Sequence, residues 1–351
     1  MSIFLLGAIV SLNDFGGWSG LLDRLCQGKD LSSDDAEKVL GEILAGEADP
    51  VQIAAFLVAL KIKGETIEET TGLVRAMLSV AVELKLPPET IDIVGTGGSN
   101  SRTKAALNVS TMACFVAAGA GAIVCKHGNR RASSTSGAFD LLDVLGIPVE
   151  QIPEEVENQV LEYGLGFAYA RIFHPAMRFA GPVRAGIGIP TVFNVLGPLS
   201  HPGRVQYQII GTPDPNLGDR MIRVLKENGS VHSWVVTGHS GLDEIAVTGN
   251  SRILELRDGE VREWELNPRD LGIPISKGAD LYGGSPEVNA SIVEDIFSGK
   301  EIGPKRDIVA LNAAAALVVS GVVENIEEGF AASISSIEDG AAERVLEAIR
   351  V

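Results

Sequence analysis

Two blocks of this 351-residue chain carry the side chains and backbone that hold small anions. One is Gly95-Thr96-Gly97-Gly98 with the following Asn108-Val109-Ser110-Thr111; the other is Lys126-His127-Gly128-Asn129-Arg130-Arg131-Ala132-Ser133-Ser134. Glycine lets a backbone approach a ligand closely, and the free N–H groups at a helix start favour phosphate. Lys126 adds a point cation, Arg130 and Arg131 guanidinium forks, and Ser133 and Ser134 hydroxyls, the donors phosphate requires. Alone, the glycine block is ordinarily tight-turn geometry, and the basic block has the competing reading of a solvated loop. The glycines are not the dinucleotide fingerprint, because Asn100 stands where the third Gly belongs and no acid follows about 20 residues on to hold a ribose. A third block, Gly241-Leu242-Asp243-Glu244, puts two adjacent carboxylates on a turn. Such acids are usually just solvated; beside an anion site they are oxygen ligands for magnesium, which favours a few carboxylates plus substrate phosphates. Gly238-His239-Ser240-Gly241 is not a nucleophile elbow, since Leu242 takes the second Gly position. Around Phe173-His174-Pro175, Val183-Arg184 and Phe193-Asn194-Val195-Leu196-Gly197-Pro198, one arginine sits among aromatic and Gly-Pro surfaces. That suits a small planar carboxylate, and Arg184 in a salt bridge between domains is an equal reading.

The distribution of charge bears on these blocks. The chain holds 29 Lys+Arg against 46 Asp+Glu, a formal net charge of -17. Yet Ile93 to Phe139 contains no Asp or Glu and carries Arg102, Lys104, Lys126, Arg130 and Arg131. Tyr163 to Pro213 is also free of acids and carries Arg171, Arg178, Arg184 and Arg204. Burial would deplete bases as strongly as acids, so the loss of one sign points to surfaces that hold an anion. The acidic whole argues against a protein whose affinity comes from neutralising nucleic-acid phosphates.

The elements that position these residues fall into two kinds. The first 86 residues read as helices: Ser32 and Ser33 precede Asp34, Asp35 and a periodic apolar run; Asp49-Pro50 opens a second helix ending at Gly64; Thr66 and Glu69 form a capping box. Pro87-Pro88 stops the pattern. From Ile91 short β-rich runs alternate with helices: Ile91–Val94, Ala122–Cys125, Val205–Ile210, Val231–Val236 and Arg252–Leu256. This predicts an α/β domain with a mostly parallel central sheet, residues 89–351, beside a small all-helical domain, residues 18–86, joined by part of 163–200, with 1–17 as an extension. The window from Tyr163 reads as starting with helical periodicity. Ligands of such sheets bind outside the carboxyl ends of the strands, where the glycine and basic blocks would lie.

Three cysteines form no CxxC pair or even framework, which fits a reducing cytoplasm. The apolar run Ile3 to Val10 is far too short to span a membrane and follows no basic segment. A soluble protein without membrane association is expected.

Taken in order, Gly95-Thr96-Gly97-Gly98, Asn108-Val109-Ser110-Thr111, Lys126-His127-Gly128-Asn129-Arg130 with Ser133-Ser134, Val183-Arg184, Phe193 to Pro198 and Leu242-Asp243-Glu244 resemble the anthranilate phosphoribosyltransferases, from about Trp18 to the C-terminus. The resemblance implies transfer of the phosphoribosyl group of 5-phosphoribosyl 1-diphosphate to anthranilate in tryptophan biosynthesis, with Mg2+, a homodimer, and a nucleoside phosphorylase/phosphoribosyltransferase-like fold whose site lies at the hinge of its domains. It also implies that Gly95, Gly98, Ser99, Asn108, Val109, Ser110, Thr111 and Lys126, His127, Gly128, Asn129, Arg130, Arg131, Ala132, Ser133 and Ser134 hold the phosphoribosyl diphosphate. Ser110, Asp243 and Glu244 would bind the metal. Gly95, Asn129 and Arg184 would contact anthranilate, with His127, His174 and Pro198 lining its path. One departure stands out: Ser99 replaces the family's Asp after GTGG, Ala106 replaces a hydroxyl residue, and the loop between is three residues longer, with Arg102, Thr103 and Lys104 offering another grip. Alternatives are a pyrimidine-nucleoside phosphorylase of similar architecture, transfer to another aromatic amine, and a noncatalytic nucleic-acid-binding relative.

Overall fold

A computed structural model describes residues 12–97, 106–130 and 135–350 of the chain. In chain order the helices and strands begin with α1 (Gly17–Cys26), α2 (Ser33–Ala45), α3 (Pro50–Lys63) and α4 (Ile67–Ser79), followed by β1 (Ile91–Gly95), α5 (Val109–Gly119), β2 (Val124–Gly128), α6 (Ala138–Val144), α7 (Pro153–Tyr163) and β3 (Leu165–Tyr169). Next come α8 (Ala170–Phe173), α9 (Met177–Ile187), α10 (Phe193–Leu199), β4 (Tyr207–Gly211), α11 (Pro215–Glu227), β5 (His232–Thr237), β6 (Ser251–Arg257) and β7 (Glu260–Leu266). Four helices close the chain: α12 (Pro286–Phe297), α13 (Pro304–Val319), α14 (Ile326–Glu338) and α15 (Ala341–Ile349). Two compact units result, one of residues up to Ala81 with His174–Leu196, the other of Val82–Phe173 with Gly197–Val351.

The helical unit forms where its caps predict. Ser32 accepts the Asp35 N–H at the start of α2, and Thr66 and Glu69 exchange hydrogen bonds at the start of α4. Glu69 is fully buried, so its carboxylate needs partners: it accepts Lys63 Nζ at 2.9 Å, the Leu31 N–H at 2.9 Å and the Thr66 N–H at 2.9 Å. Leu12 is packed into this unit, its N–H donated to Glu42 Oε1 at 3.2 Å. The unit ends at Ala81, short of residue 86, because the Val82 N–H bonds to Phe173 O at 2.8 Å and Leu84 joins an apolar cluster with Cys125, Val156 and Phe173.

The other unit is built on a seven-stranded sheet in the order β3-β2-β1-β4-β5-β6-β7. The first five strands are parallel; β6 and β7 are antiparallel to their neighbours. The Ala-rich helix α13 is buried from Asp307 to Val319. Strand order reverses at β1, which lies between β2 and β4, so the crevice beyond the ends of β1 and β4 is the position where such sheets take ligands.

Three local expectations are corrected. Strand β2 runs to Gly128, paired with β3 out to Gly128↔Tyr169, so Lys126 and His127 belong to a buried strand and the loop begins at Asn129. Residues 165–169 are a strand and not the start of a helix: the run Leu-Gly-Phe-Ala-Tyr is buried throughout, and a short apolar run has no period that separates strand from helix. Strand β7 has no counterpart among the expected strands, because an edge strand with most of its side chains exposed carries little apolar signal.

Candidate active site

Glycines at three strand ends bring the acidic turn onto the sheet. Gly95 ends β1, Gly211 ends β4 in register with it, and Gly238 follows β5. A Cβ on Gly95 would lie 2.7 Å from Asp243 Oδ2, one on Gly211 1.7 Å from the Asp243 carbonyl oxygen, and one on Gly238 2.1 Å from the Glu244 carbonyl oxygen. Only hydrogen fits at these places, so the Asp243-Glu244 turn folds directly over the ends of β1, β4 and β5. Asp243 Oδ2 accepts the Gly97 N–H at 3.1 Å, which ties the acidic turn to the glycine block. The turn is held from behind by Asn312 of α13: its Oδ1 accepts the Ile245 N–H at 3.0 Å, and its Nδ2 donates to Ile245 O at 2.9 Å and to Ile308 O at 2.8 Å. Asp243 and Glu244 are both buried, unlike ordinary turn acids.

Lys126, buried on β2, donates from Nζ to Ile93 O and to Ser110 Oγ, the latter at 3.3 Å. It thereby fastens the first turn of α5, where Ser110 and Thr111 sit, to the body of β1. Thr111 Oγ1 is buried and has no hydrogen-bond partner among the described residues. Beneath Lys126, Asp92 of β1 accepts the His127 N–H at 3.1 Å; burial pushes its carboxyl up to about 7, with the Lys126 charge and the His127 and Gln208 hydrogen bonds pulling the other way.

Other predicted residues have different surroundings. Asn108 exchanges hydrogen bonds with Ser136, Oγ to Oδ1 at 2.8 Å and Nδ2 to the carbonyl at 3.3 Å. Arg130 is committed to protein: it donates to Asp143 at 3.1 Å, lies 3.7 Å from Glu150 and stacks 5.3 Å over the Tyr169 ring, and the Asp143 hydrogen bond raises its already high pKa. Asn129 is exposed, its Oδ1 accepting the Arg130 N–H at 2.8 Å. His127 is buried edge-on to His201 at 5.7 Å, and the Pro198 carbonyl accepts Gln208 Nε2 at 3.1 Å. In the helical unit, His174 is buried, and the Arg184 guanidinium lies 4.9 Å over the Phe193 ring. Burial lowers the Arg184 pKa. Gly98, Ser99, Arg102, Thr103, Lys104, Arg131, Ala132, Ser133 and Ser134 lie outside the described residues.

Motif reading passed over Asp92, Gly211 and Asn312. A signal existed for two of them: a carboxylate inside the apolar strand Ile91–Val94, and an amide inside the apolar run from Ile308 to Val319, must each be paired to be buried.

The helical bundle domain of a glycosyl transferase family matches residues 19–81, and the a/b domain of that family matches residues 87–343. An anthranilate phosphoribosyltransferase from Symbiobacterium thermophilum is 44% identical over 331 residues, covering 94% of this chain and 96% of that protein. The chain belongs to the anthranilate phosphoribosyltransferase family. A second anthranilate phosphoribosyltransferase, from Roseiflexus sp., is 43% identical over 91% of this chain and 93% of its own. Among solved structures, anthranilate phosphoribosyltransferase from Thermus thermophilus superposes with a TM-score of 0.87 at 38% identity, covering 93% of this chain and 97% of that one. Anthranilate phosphoribosyltransferase from Saccharomyces cerevisiae in complex with PRPP and Mg gives 0.84 at 29% identity, covering 94% and 96%.

Proposed function

We propose that this protein transfers the phosphoribosyl group of 5-phosphoribosyl 1-diphosphate to anthranilate, giving N-(5-phosphoribosyl)anthranilate and diphosphate in tryptophan biosynthesis. The observation that carries this reading is the convergence of the glycine block, the Lys126–Ser110 pair and the Asp243-Glu244 turn at the carboxyl edge of one sheet, at its switch point. Family membership with relatives named for that activity supports it.

Gly95 and Gly97 offer close-approaching backbone, and the first turn of α5 offers N–H groups and the hydroxyls of Ser110 and Thr111, toward the phosphates. The donor set suits a small hard cation: two adjacent carboxylates, Asp243 and Glu244, fixed at the strand ends next to Ser110's helix. These residues would hold magnesium, which would neutralise charge on the departing diphosphate. The bond from the anomeric carbon to diphosphate breaks with its electron pair leaving on oxygen, the anthranilate nitrogen forms the new C–N bond, and one amine proton is released. No protein nucleophile is required; catalysis is positioning and electrostatic stabilisation. Arg184, a half-buried guanidinium stacked on Phe193, supplies the charge for the anthranilate carboxylate.

The protein acts as a homodimer. Helix α3 buries Ile53, Phe56, Leu57 and Leu60, yet also exposes Val51 (79%) and Ile62 (81%) on a second face with Ala55 and Val58 between them. A helix apolar on both sides fits a second copy covering the outer face. No helix among the described residues is long and apolar enough to cross a membrane, and a cytoplasmic location suits the three free cysteines.

The direct test follows anthranilate fluorescence with 5-phosphoribosyl 1-diphosphate and magnesium. Loss of fluorescence that needs both small molecules is the expected result. Turnover with another aromatic amine but none with anthranilate would overturn the acceptor.

A further inference from the structure

Asn289 on α12 lies outside every motif and is fully buried. Its Nδ2 donates to Ala106 O at 2.8 Å and to Asn108 Oδ1 at 2.6 Å, while its Oδ1 accepts the Gly284 N–H at 3.2 Å. Asn108 Oδ1 accepts a second hydrogen bond, from Ser136 Oγ at 2.8 Å, and Asn108 Nδ2 donates to Ser136 O at 3.3 Å. Beside them the Ala106 N–H bonds to Thr135 Oγ1 at 3.2 Å. Residues 106–108 lead into the first turn of α5, which carries Ser110 and Thr111. Residues 135 and 136 lie on the segment that follows Lys126 and Asn129. The Asn108–Ser136 and Ala106–Thr135 bonds join the downstream ends of the two segments, and one amide from a distant helix braces Ala106 and Asn108 from behind.

Packing shows that the contact is built closely. A Cβ on Gly283 would come within 2.3 Å of Asn289 Oδ1 and 2.4 Å of Ala106 O, so a glycine there lets the chain close over the amide. A fully buried amide is tolerated only because its donors and acceptor are taken up.

We propose that Asn289 is a positioning residue for the phosphoribosyl diphosphate subsite. It contacts Asn108 and Ala106, not the substrate, and sets the α5 first turn against the segment after Lys126. The proposal rests on the assignment of that subsite given above.

Asn289→Asp is the sharp test. It keeps the volume and the acceptor for Gly284, removes both donated hydrogen bonds, and sets a carboxyl against two amide-type oxygens. The expected result is a rise of about tenfold in KM for 5-phosphoribosyl 1-diphosphate, with kcat and the anthranilate KM within about twofold of wild type. Relative to wild type at each pH, the defect is smaller at pH 6 than at pH 8, because a buried carboxyl that takes a proton regains one donor. Ser136→Ala, which removes one bond of the same cluster, raises the same KM about threefold. Ser336→Ala loses a buried hydrogen bond to Val116 O elsewhere in the unit and is the stability control; its KM values stay at wild type.

Lys126→Ala separates the two ideas. If it raises the 5-phosphoribosyl 1-diphosphate KM while Asn289→Asp and Ser136→Ala leave it unchanged, the positioning role is overturned and the subsite assignment stands. If none of the three moves it, the subsite assignment falls and takes the positioning role with it. An equal rise in both KM values for Asn289→Asp, shared by Ser336→Ala, also overturns the proposal, since that is general loosening. Should Asn289→Asp fail to fold, Ser136→Ala decides alone: a selective rise supports the role and an unchanged KM overturns it.

Discussion

Lys126 and Asp92 lie on adjacent buried strands below the glycine block, and the Asp92 carboxyl makes stability depend on pH. Burial lifts the Asp92 carboxyl from 3.8 to about 7. In the unfolded chain it ionises near its ordinary value, so between about pH 4 and 7 the native chain holds a proton that the unfolded chain has released. The stability this provides is complete below the unfolded value and is lost as pH rises through about 7. Asp92→Asn removes that dependence, so the difference in Tm, variant minus wild type, grows from pH 5 to pH 8 when followed by calorimetry. A difference that is flat over the interval would contradict a raised carboxyl. Arg184 makes a second prediction at this scale. Its stacked, forked guanidinium is not matched by an ammonium, so Arg184→Lys raises the anthranilate KM about tenfold and leaves the 5-phosphoribosyl 1-diphosphate KM near wild type, measured by initial rates with each substrate varied. Arg184 stands out in the sequence by its aromatic and Gly-Pro surroundings. A carboxylate inside an apolar strand signals that Asp92 needs a partner, but that Lys126 lies beside it is a relation between strands 34 positions apart in the chain.

At the scale of elements, the acidic turn and the α4 cap are held by single side chains whose loss has different readouts. Asn312→Ala leaves the Ile245 N–H and C=O without their partner at about 1–3 kcal/mol for each buried group. The turn then shifts, and the magnesium concentration giving half-maximal rate rises severalfold; an unchanged magnesium titration would show that the turn holds without the clamp. Glu69→Ala leaves Lys63 with Asp30 and the Gly64 carbonyl as partners, but frees the Leu31 and Thr66 N–H groups. An N–H group left without its acceptor costs about 1–3 kcal/mol where it is buried, which chemical denaturation would read as a lower midpoint. The Thr66–Glu69 capping box was legible as a local pattern, because its partners are three residues apart. Its further contacts to Leu31 and Lys63, and the grip of Asn312 on Ile245, join residues that no local period relates. The same reasoning explains β2: the end of a strand is decided by its neighbour β3, not by its own residues, which is why Lys126 belongs to the strand.

For the whole molecule, the net charge of -17 coexists with two acid-free stretches, and the first of them supplies Gly95, Ser110 and Lys126 to the strand-end site. The apolar outer face of α3 carries the assembly prediction. Ile62→Asp places a carboxylate in that face, and if the proposed homodimer forms there the variant runs as a monomer near 36.9 kDa in size-exclusion chromatography with light scattering. A dimer that survives this change would place the interface elsewhere. The helical and α/β parts, the capped helix starts, the order of the glycine, basic and acidic blocks and the family they resemble are all legible in the chain, because each depends on residue type and short spacing. Tertiary structure decided which blocks meet. It placed β1 between β2 and β4, so that Gly95 and Gly211 stand side by side and clear room for Asp243. It gave Arg130 to Asp143 and Glu150, and gave Asn289 to Asn108 across 181 residues. Strand order and hydrogen-bond partners are relations between distant segments, settled by which arrangement buries the apolar faces with every polar group paired, and the local pattern of residues does not contain them.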